Sequence, residues 1–226
     1  MKNECLNCAC VMKSMMQSLK SCQLEQLESN HAVVQFRKGD PIIKQGMFST
    51  NVVFLKSGLV KIHITGPYHE QIVRLAKVPT YLGLPTTIGD KINQYSVTAV
   101  QDSEVCFIDL NIFKRVLEEN KDFSSHIILE LCKSELESYR RCANRTQKQT
   151  RGNLADVLLD LSENVFESTE FVLPISQSDI GNLVDAGRES VNRLLSELMN
   201  DGIIRMEGRK IEILNKSSLQ LISQNG

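Results

Sequence analysis

Between residues 31 and 109 the apolar positions come in short runs separated by turn residues. The runs Val33-Val34-Gln35-Phe36, Val52-Val53-Phe54-Leu55, Leu59-Val60-Lys61-Ile62-His63-Ile64, 71–75, 96–100 and Val105-Cys106-Phe107-Ile108 are rich in β-branched and aromatic side chains. Such side chains suit a pleated, half-buried backbone, so each run predicts a strand. Lys38-Gly39-Asp40, Gln45-Gly46, Lys56-Ser57-Gly58, Gly66-Pro67 and Gly89-Asp90 punctuate them as turns. Many short strands with no intervening helix predict an antiparallel β-roll of the jelly-roll kind.

Beyond residue 109 the period changes to that of a helix. A short helix near 110–119 leads into a longer one over 122–147, in which Phe123, Ile127, Ile128, Leu131, Cys132, Leu136, Tyr139 and Cys142 occupy an arc of about 220°, against about 100° for a surface helix. An arc of that width needs two partners. It predicts packing on the β-roll and on a second copy of the chain, with Ile127, Ile128, Leu131 and Tyr139 in a two-fold seam. Glu135 is a polar point within the arc, and Cys132 and Cys142 read as packing residues.

The apolar pattern resets at Thr150-Arg151-Gly152-Asn153, a hinge. An amphipathic helix through Leu154, Val157, Leu158 and Leu161 follows, then two short helices joined by a tight turn. Ser176 with Asp179 three residues on forms a capping box at the start of the first, and Gly181 allows close approach of a neighbour. In the second, Val191, Leu194, Leu195 and Leu198 fall on one face, while Arg188, Glu189, Asn192, Arg193 and Ser196 fall on the other. An Arg pairs bidentately with guanine and a Glu accepts from cytosine N4, so the polar face is a base-reading set for the major groove. The runs Ile203-Ile204 and 211–214 flank Gly208-Arg209-Lys210 as a hairpin wing, with Lys210 directed at phosphate. The fold class is therefore α+β. The predicted domains are a cysteine-containing arm at 1–20, a β-roll sensor at 21–120, a dimerisation helix at 121–149 and a winged helix-turn-helix at 150–226.

Composition changes this picture in three places. With 42% apolar and 23% charged residues and no apolar run near the ~18 residues of a membrane helix, the chain reads as a globular protein of the cytosol without a membrane partner. Its seven cysteines are then thiols or metal ligands rather than disulfides. The net charge is -1, and from residue 150 onward seven Lys and Arg face twelve Asp and Glu; from Gly187 the balance is six to five. Non-specific DNA affinity is accordingly expected to be modest. A β-roll also hosts cupin-like metal enzymes, but the ligand candidates here are His63, His69 and Glu70, without a His-x-His pair, and His63 alternates with apolar neighbours as a surface residue would. An enzyme is not expected.

The turn series from Lys38-Gly39-Asp40 through Gln45-Gly46 to Leu55-Lys56-Ser57-Gly58-Leu59-Val60-Lys61, the long helix, and Gly187-Arg188-Glu189-Ser190-Val191-Asn192-Arg193 together resemble the Crp/Fnr transcription regulators over roughly residues 20 to 215. The resemblance implies a homodimer that binds palindromic double-stranded DNA and works with RNA polymerase. Arg188, Glu189 and Arg193 match the base-reading triplet of the cyclic-AMP receptor branch, and Ser176, Ser178 and Ser190 stand where that branch touches phosphates. Tyr81-Leu82-Gly83-Leu84-Pro85 lacks the acidic residue of that branch's nucleotide pocket, and 90–96 lacks its Arg, so cyclic AMP is not the expected effector. Asp185 replaces the usual turn glycine, and Gly187 the usual cap of the reading helix. Cys5, Cys8 and Cys10 resemble the N-terminal cysteines of the oxygen-sensing branch, with Cys106 in the position of its fourth iron–sulfur ligand and Cys22 as the alternative to Cys10. A [4Fe–4S] cluster, a zinc or thiol switch, and idle cysteines with a small molecule sensed in the β-roll instead remain open.

Overall fold

The computed structural model describes residues 18–226 and forms two compact units, 18–69 with Val73–Leu136, and Glu70–Ile72 with Glu137–Gly226. In the first, α1 (Ser21–Ser29) precedes β1 (His31–Phe36), β2 (Pro41–Ile43), β3 (Asn51–Ser57), β4 (Leu59–Thr65), β5 (Glu70–Lys77) and β6 (Thr80–Leu82). Helix α2 (Leu84–Gly89), β7 (Ser96–Ala99), β8 (Ser103–Asp109), α3 (Leu110–Glu119) and α4 (Lys121–Gln147) follow. The strands form two four-stranded sheets, ordered β1-β8-β3-β6 and β2-β7-β4-β5.

Strands β3 and β8 of the first sheet are largely buried on both faces, whereas β1 at its edge is mostly exposed. Val53, Leu55 and Val105 meet Val60, Ile62 and Val97 of the second sheet, while Val52, Phe54, Cys106 and Ile108 meet Leu27, Phe113, Phe123 and Ile127 of α1, α3 and α4. A strand enclosed from both sides has no polar face to preserve, which is why Val52-Val53-Phe54-Leu55 is unbroken rather than alternating. Each such side chain stabilises the fold by roughly 1.5–3 kcal/mol. Tyr81 meets Phe54 and Phe113 edge-on at ring-centroid distances of 5.0 and 5.8 Å, and Phe113 meets Phe123 at 5.6 Å, joining sheet to helices.

Several expectations need correction. The roll is interrupted by α2, which starts from Gly83 at φ 71° with Pro in its first turn; its six residues, under two helical turns, are too few to show a period. β2 and β6 have three residues each, too few for a visible alternation. His63 is 8% exposed rather than a surface residue, with Nε2 2.9 Å from Thr98 Oγ1 on the neighbouring strand.

The broad arc of α4 divides in two. Phe123 and Ile127 are buried in the core of the first unit, and Leu131 packs partly against it. Ile127 is therefore a core residue of its own chain and is withdrawn from the seam. Ile128, Leu136 and Tyr139 are 59%, 67% and 62% exposed, and Cys132 and Cys142 are exposed rather than packed within the chain.

The second unit contains α5 (Thr150–Asp160), a π-helical turn (Leu161–Val165), β9 (Glu170–Val172), α6 (Gln177–Val184), α7 (Arg188–Asn200), β10 (Ile204–Glu207), β11 (Lys210–Ile213) and α8 (Lys216–Asn225). Its sheet runs β10-β11-β9, so the wing has a third strand that the hairpin pattern did not predict. Asp156 of α5 accepts from Lys148 Nζ at 2.7 and 2.9 Å, from Asn144 Nδ2 at 3.1 Å and from Ser223 Oγ, tying the end of α4 and the unpredicted α8 to α5.

Candidate nucleic-acid interface

Helix α6 begins with the capping box expected from Ser176 and Asp179. Ser176 Oγ accepts from Asp179 N at 3.0 Å, and Asp179 Oδ2 accepts from Ser176 N and Oγ at 3.1 and 2.6 Å. The helix ends at Asp185, held in the left-handed region at φ 56°, ψ 52°. Asp tolerates that region better than most residues with a Cβ, so the turn closes without glycine there. Gly181 is the glycine that matters: a Cβ on it would lie 2.4 Å from the Ala186 carbonyl oxygen, and Ala186 N donates to Gly181 O at 3.0 Å. The close approach is to the turn backbone, not to a second helix.

The chain then enters α7 through Gly187, in extended conformation at φ -70°, ψ 154°. Val191, Leu194, Leu195 and Leu198 are buried, whereas Arg188, Glu189 and Arg193 are exposed along the opposite face. Glu189 lies in the first helical turn, where a carboxylate complements the helix dipole. Asn192 is set back from this row: it is half-buried, and its Oδ1 is enclosed without a hydrogen-bond partner among the described residues. Arg193 Nη1 lies 2.6 Å from Glu197 Oε1 one turn on. An exposed pair of this type is worth about 0–1 kcal/mol, so little opposes transfer of the guanidinium to another acceptor.

The residues expected to touch phosphate are differently disposed. Ser178 is exposed and Ser190 half-buried, while the Ser176 hydroxyl already serves the cap. In the wing, Gly208 at φ 60° turns β10 into β11. Lys210 Nζ lies 2.5 Å from Glu170 Oε1 of β9, and its pKa is raised by that hydrogen bond and by the nearby Glu170, Glu207 and Glu212 charges. Lys210 thus stands, exposed and paired, in an acidic neighbourhood. Arg205 Nη1 pairs with Glu212 Oε2 at 2.7 Å. Arg209 donates to Leu173 O at 3.2 and 2.7 Å and to Ile175 O at 2.9 Å, anchoring the wing to the segment before α6. The i,i+4 spacing of Arg193 and Glu197 is legible in sequence; the Lys210–Glu170 pair, forty residues apart, has no such signal.

In the β-roll, the hydroxyls that follow the Tyr81–Pro85 stretch are bonded within the chain. Thr86 and Thr87 Oγ1 donate to Gly83 O at 2.8 and 2.9 Å, and Thr87 Oγ1 is 2.6 Å from Ser49 Oγ. Sequence reasoning passed over Tyr95, whose hydroxyl pKa is raised by burial against the opposing effects of Arg74 and a hydrogen bond to the Gly83 backbone. Cys106 is fully buried on β8 in the same apolar cluster as Leu19 and Leu27, and Cys22 is exposed. Cys5, Cys8 and Cys10 lie outside the described residues. Among the described residues no helix is long and apolar enough to cross a membrane.

Two family models match the chain: a cyclic nucleotide-binding domain over residues 33–120 and a Crp-like helix-turn-helix domain over 152–222. The transcriptional regulatory protein btr of Bordetella pertussis is 32% identical over 134 residues, which are 57% of this chain and 55% of that protein. The fumarate and nitrate reduction regulatory protein of Vibrio cholerae is 26% identical over 203 residues, covering 87% of this chain and 80% of the relative. The structure of FixK2 from Bradyrhizobium japonicum superposes with a TM-score of 0.78 at 18% identity, covering 85% of this chain and 96% of that one, a likeness of fold.

Proposed function

Since the chain belongs to the Crp/Fnr family of transcription regulators, we propose that it acts as a homodimer whose two α7 helices read the half-sites of a palindromic operator. The observation that carries this reading is the division of α7 into a buried apolar face and an exposed row of Arg188, Glu189 and Arg193. Arg188 and Arg193 take guanine O6 and N7, and Glu189 takes cytosine N4. Asn192 assists from its recessed position. Ser178 and Ser190 contact phosphate from the first turns of α6 and α7, and Ser176 contributes by shaping the start of α6. The exposed Ile128 and Tyr139, with the partly buried Leu131, supply the two-fold seam. RNA polymerase is the expected protein partner at the promoter. Binding-site selection with the full chain tests the reading: it should return a palindrome with half-sites about 34 Å apart, one DNA turn. Selection of no motif, or of one without two-fold symmetry, would refute it.

For the signal we favour the N-terminal cysteines over a cyclic nucleotide. Leu19, near the junction of arm and body, packs in the same apolar cluster as Cys106, a buried thiol of the roll. Cys5, Cys8 and either Cys10 or Cys22 would join Cys106 around an iron–sulfur or zinc centre. The Gly83–Thr87 segment, with its hydroxyls turned on its own backbone, presents neither a carboxylate nor a guanidinium to a ribose cyclic phosphate. Iron and zinc content with the visible spectrum of anaerobically purified protein separates the two metals from idle cysteines. Calorimetry with cyclic AMP tests the nucleotide.

A further inference from the structure

We propose that Cys132 and Cys142 form a redox-controlled lock across the dimer, each joined by a disulfide to the same cysteine of the second copy. The proposal rests on the homodimer reading above. Ile128, Cys132, Glu135, Tyr139 and Cys142 follow one another at spacings of four, three, four and three residues, the repeat of a two-stranded helical seam. The structure independently turns this line outward: all five residues are exposed on α4, while Phe123 and Ile127, about 120° around the helix from the stripe, are held in the core. Both exposed cysteines of α4 therefore fall on the single stripe that a two-fold axis would pair with itself.

The distances suit the bond. Packed helices have axes about 8–10 Å apart and Cα atoms on a radius of about 2.3 Å, which leaves roughly 3.5–5.5 Å between Cα atoms aimed directly at each other and somewhat more for positions beside the axis. A disulfide requires about 4.4–6.8 Å. A parallel, in-register pair about a two-fold axis brings each cysteine opposite its own copy, so no shift of the helices is needed. The oxidant is a peroxide. Its O–O bond breaks as one thiolate sulfur is converted to a sulfenic acid; the facing thiol then displaces water from that sulfur and the S–S bond forms. Each sulfur gives up one electron, and with hydrogen peroxide both oxygens leave as water. In a reducing cytosol the link is transient, so it reports a peroxide pulse rather than a permanent staple.

The full chain is treated with hydrogen peroxide and examined by non-reducing electrophoresis and peptide mass spectrometry, with sedimentation of the reduced protein alongside. The expected result is a covalent dimer carrying Cys132–Cys132 and Cys142–Cys142 links, reversed by dithiothreitol and lost in the double variant Cys132→Ser, Cys142→Ser. Either single variant keeps the other link. The oxidised protein should keep its operator affinity through at least about a hundredfold dilution, because the second half-site stays covalently attached to the first. A reduced dimer that yields no covalent species, or one linked through Cys22 or the N-terminal cysteines, overturns the lock while leaving the dimer intact. A reduced chain that sediments as a monomer overturns the homodimer reading, and the lock with it.

Discussion

Helix α7 and the wing β10–β11 lie in the same unit and both carry cations, yet those cations are held on different terms. On α7, Arg188 and Arg193 project from a face where, among the described residues, the Glu197 pair holds one of them. On the wing, Arg205 faces Glu212, Lys210 faces Glu170 with Glu207 and Glu212 close by, and Arg209 is spent on the Leu173 and Ile175 carbonyls. The number of basic residues is similar, but what they can offer a phosphate is not. A cation within an acidic group contributes little net field, so counterion release falls to the few unpaired ones. On the proposed reading, an acidic domain would bind DNA by concentrating recognition on α7, with low non-specific attraction.

The comparison is broken most severely by Gly181→Ala. A Cβ 2.4 Å from Ala186 O must displace the turn that aims α7, at a cost of roughly 1–3 kcal/mol. Chemical denaturation should show that loss in the second unit, and gel-shift titration should show specific binding gone. Retention of full operator affinity would mean the turn can shift without moving α7.

Arg193→Ala should reduce operator affinity by about 1–3 kcal/mol and relax selection at one guanine position per half-site. Site selection with the variant decides it, because a motif unchanged at full affinity would remove α7 as the reader. The smallest effects belong to the wing. Lys210→Ala should change operator affinity by less than about twofold, since the Glu170, Glu207 and Glu212 carboxylates around the ammonium leave little net field to lose. Glu170→Gln should instead release Lys210, strengthen binding to all sequences a few-fold and steepen the dependence on salt by about one counterion per chain. Salt titrations of the two variants test whether pairing, rather than position, silences the wing.

Much of this architecture is legible in the residues because it is enforced locally. Val52-Val53-Phe54-Leu55 and Val105-Cys106-Phe107-Ile108 announce strands by composition, the 3.6 period of Val191, Leu194, Leu195 and Leu198 announces α7, and Ser176 with Asp179 marks the start of α6. Most of the missed elements have a short local signal: β2, β6 and β9 have three residues each and α2 has six, while the terminal helices α1 and α8, with nine and ten, were also missed. Their stability comes from neighbours, such as β11, which pairs with β9 through Ile211↔Phe171.

By itself the sequence determined the order of roll, long helix and helix-turn-helix, the polar and apolar faces of α7, and the cysteines available to a sensor. Those follow from periodicity and side-chain chemistry, which act between residues a few positions apart. Only the tertiary structure decided which half of the α4 arc is core and which half remains outward, that His63 is buried, and that Lys210 is bound to Glu170. Each of these depends on a partner tens of residues away, and no local rule of spacing can specify which of two suitable surfaces or carboxylates will arrive there.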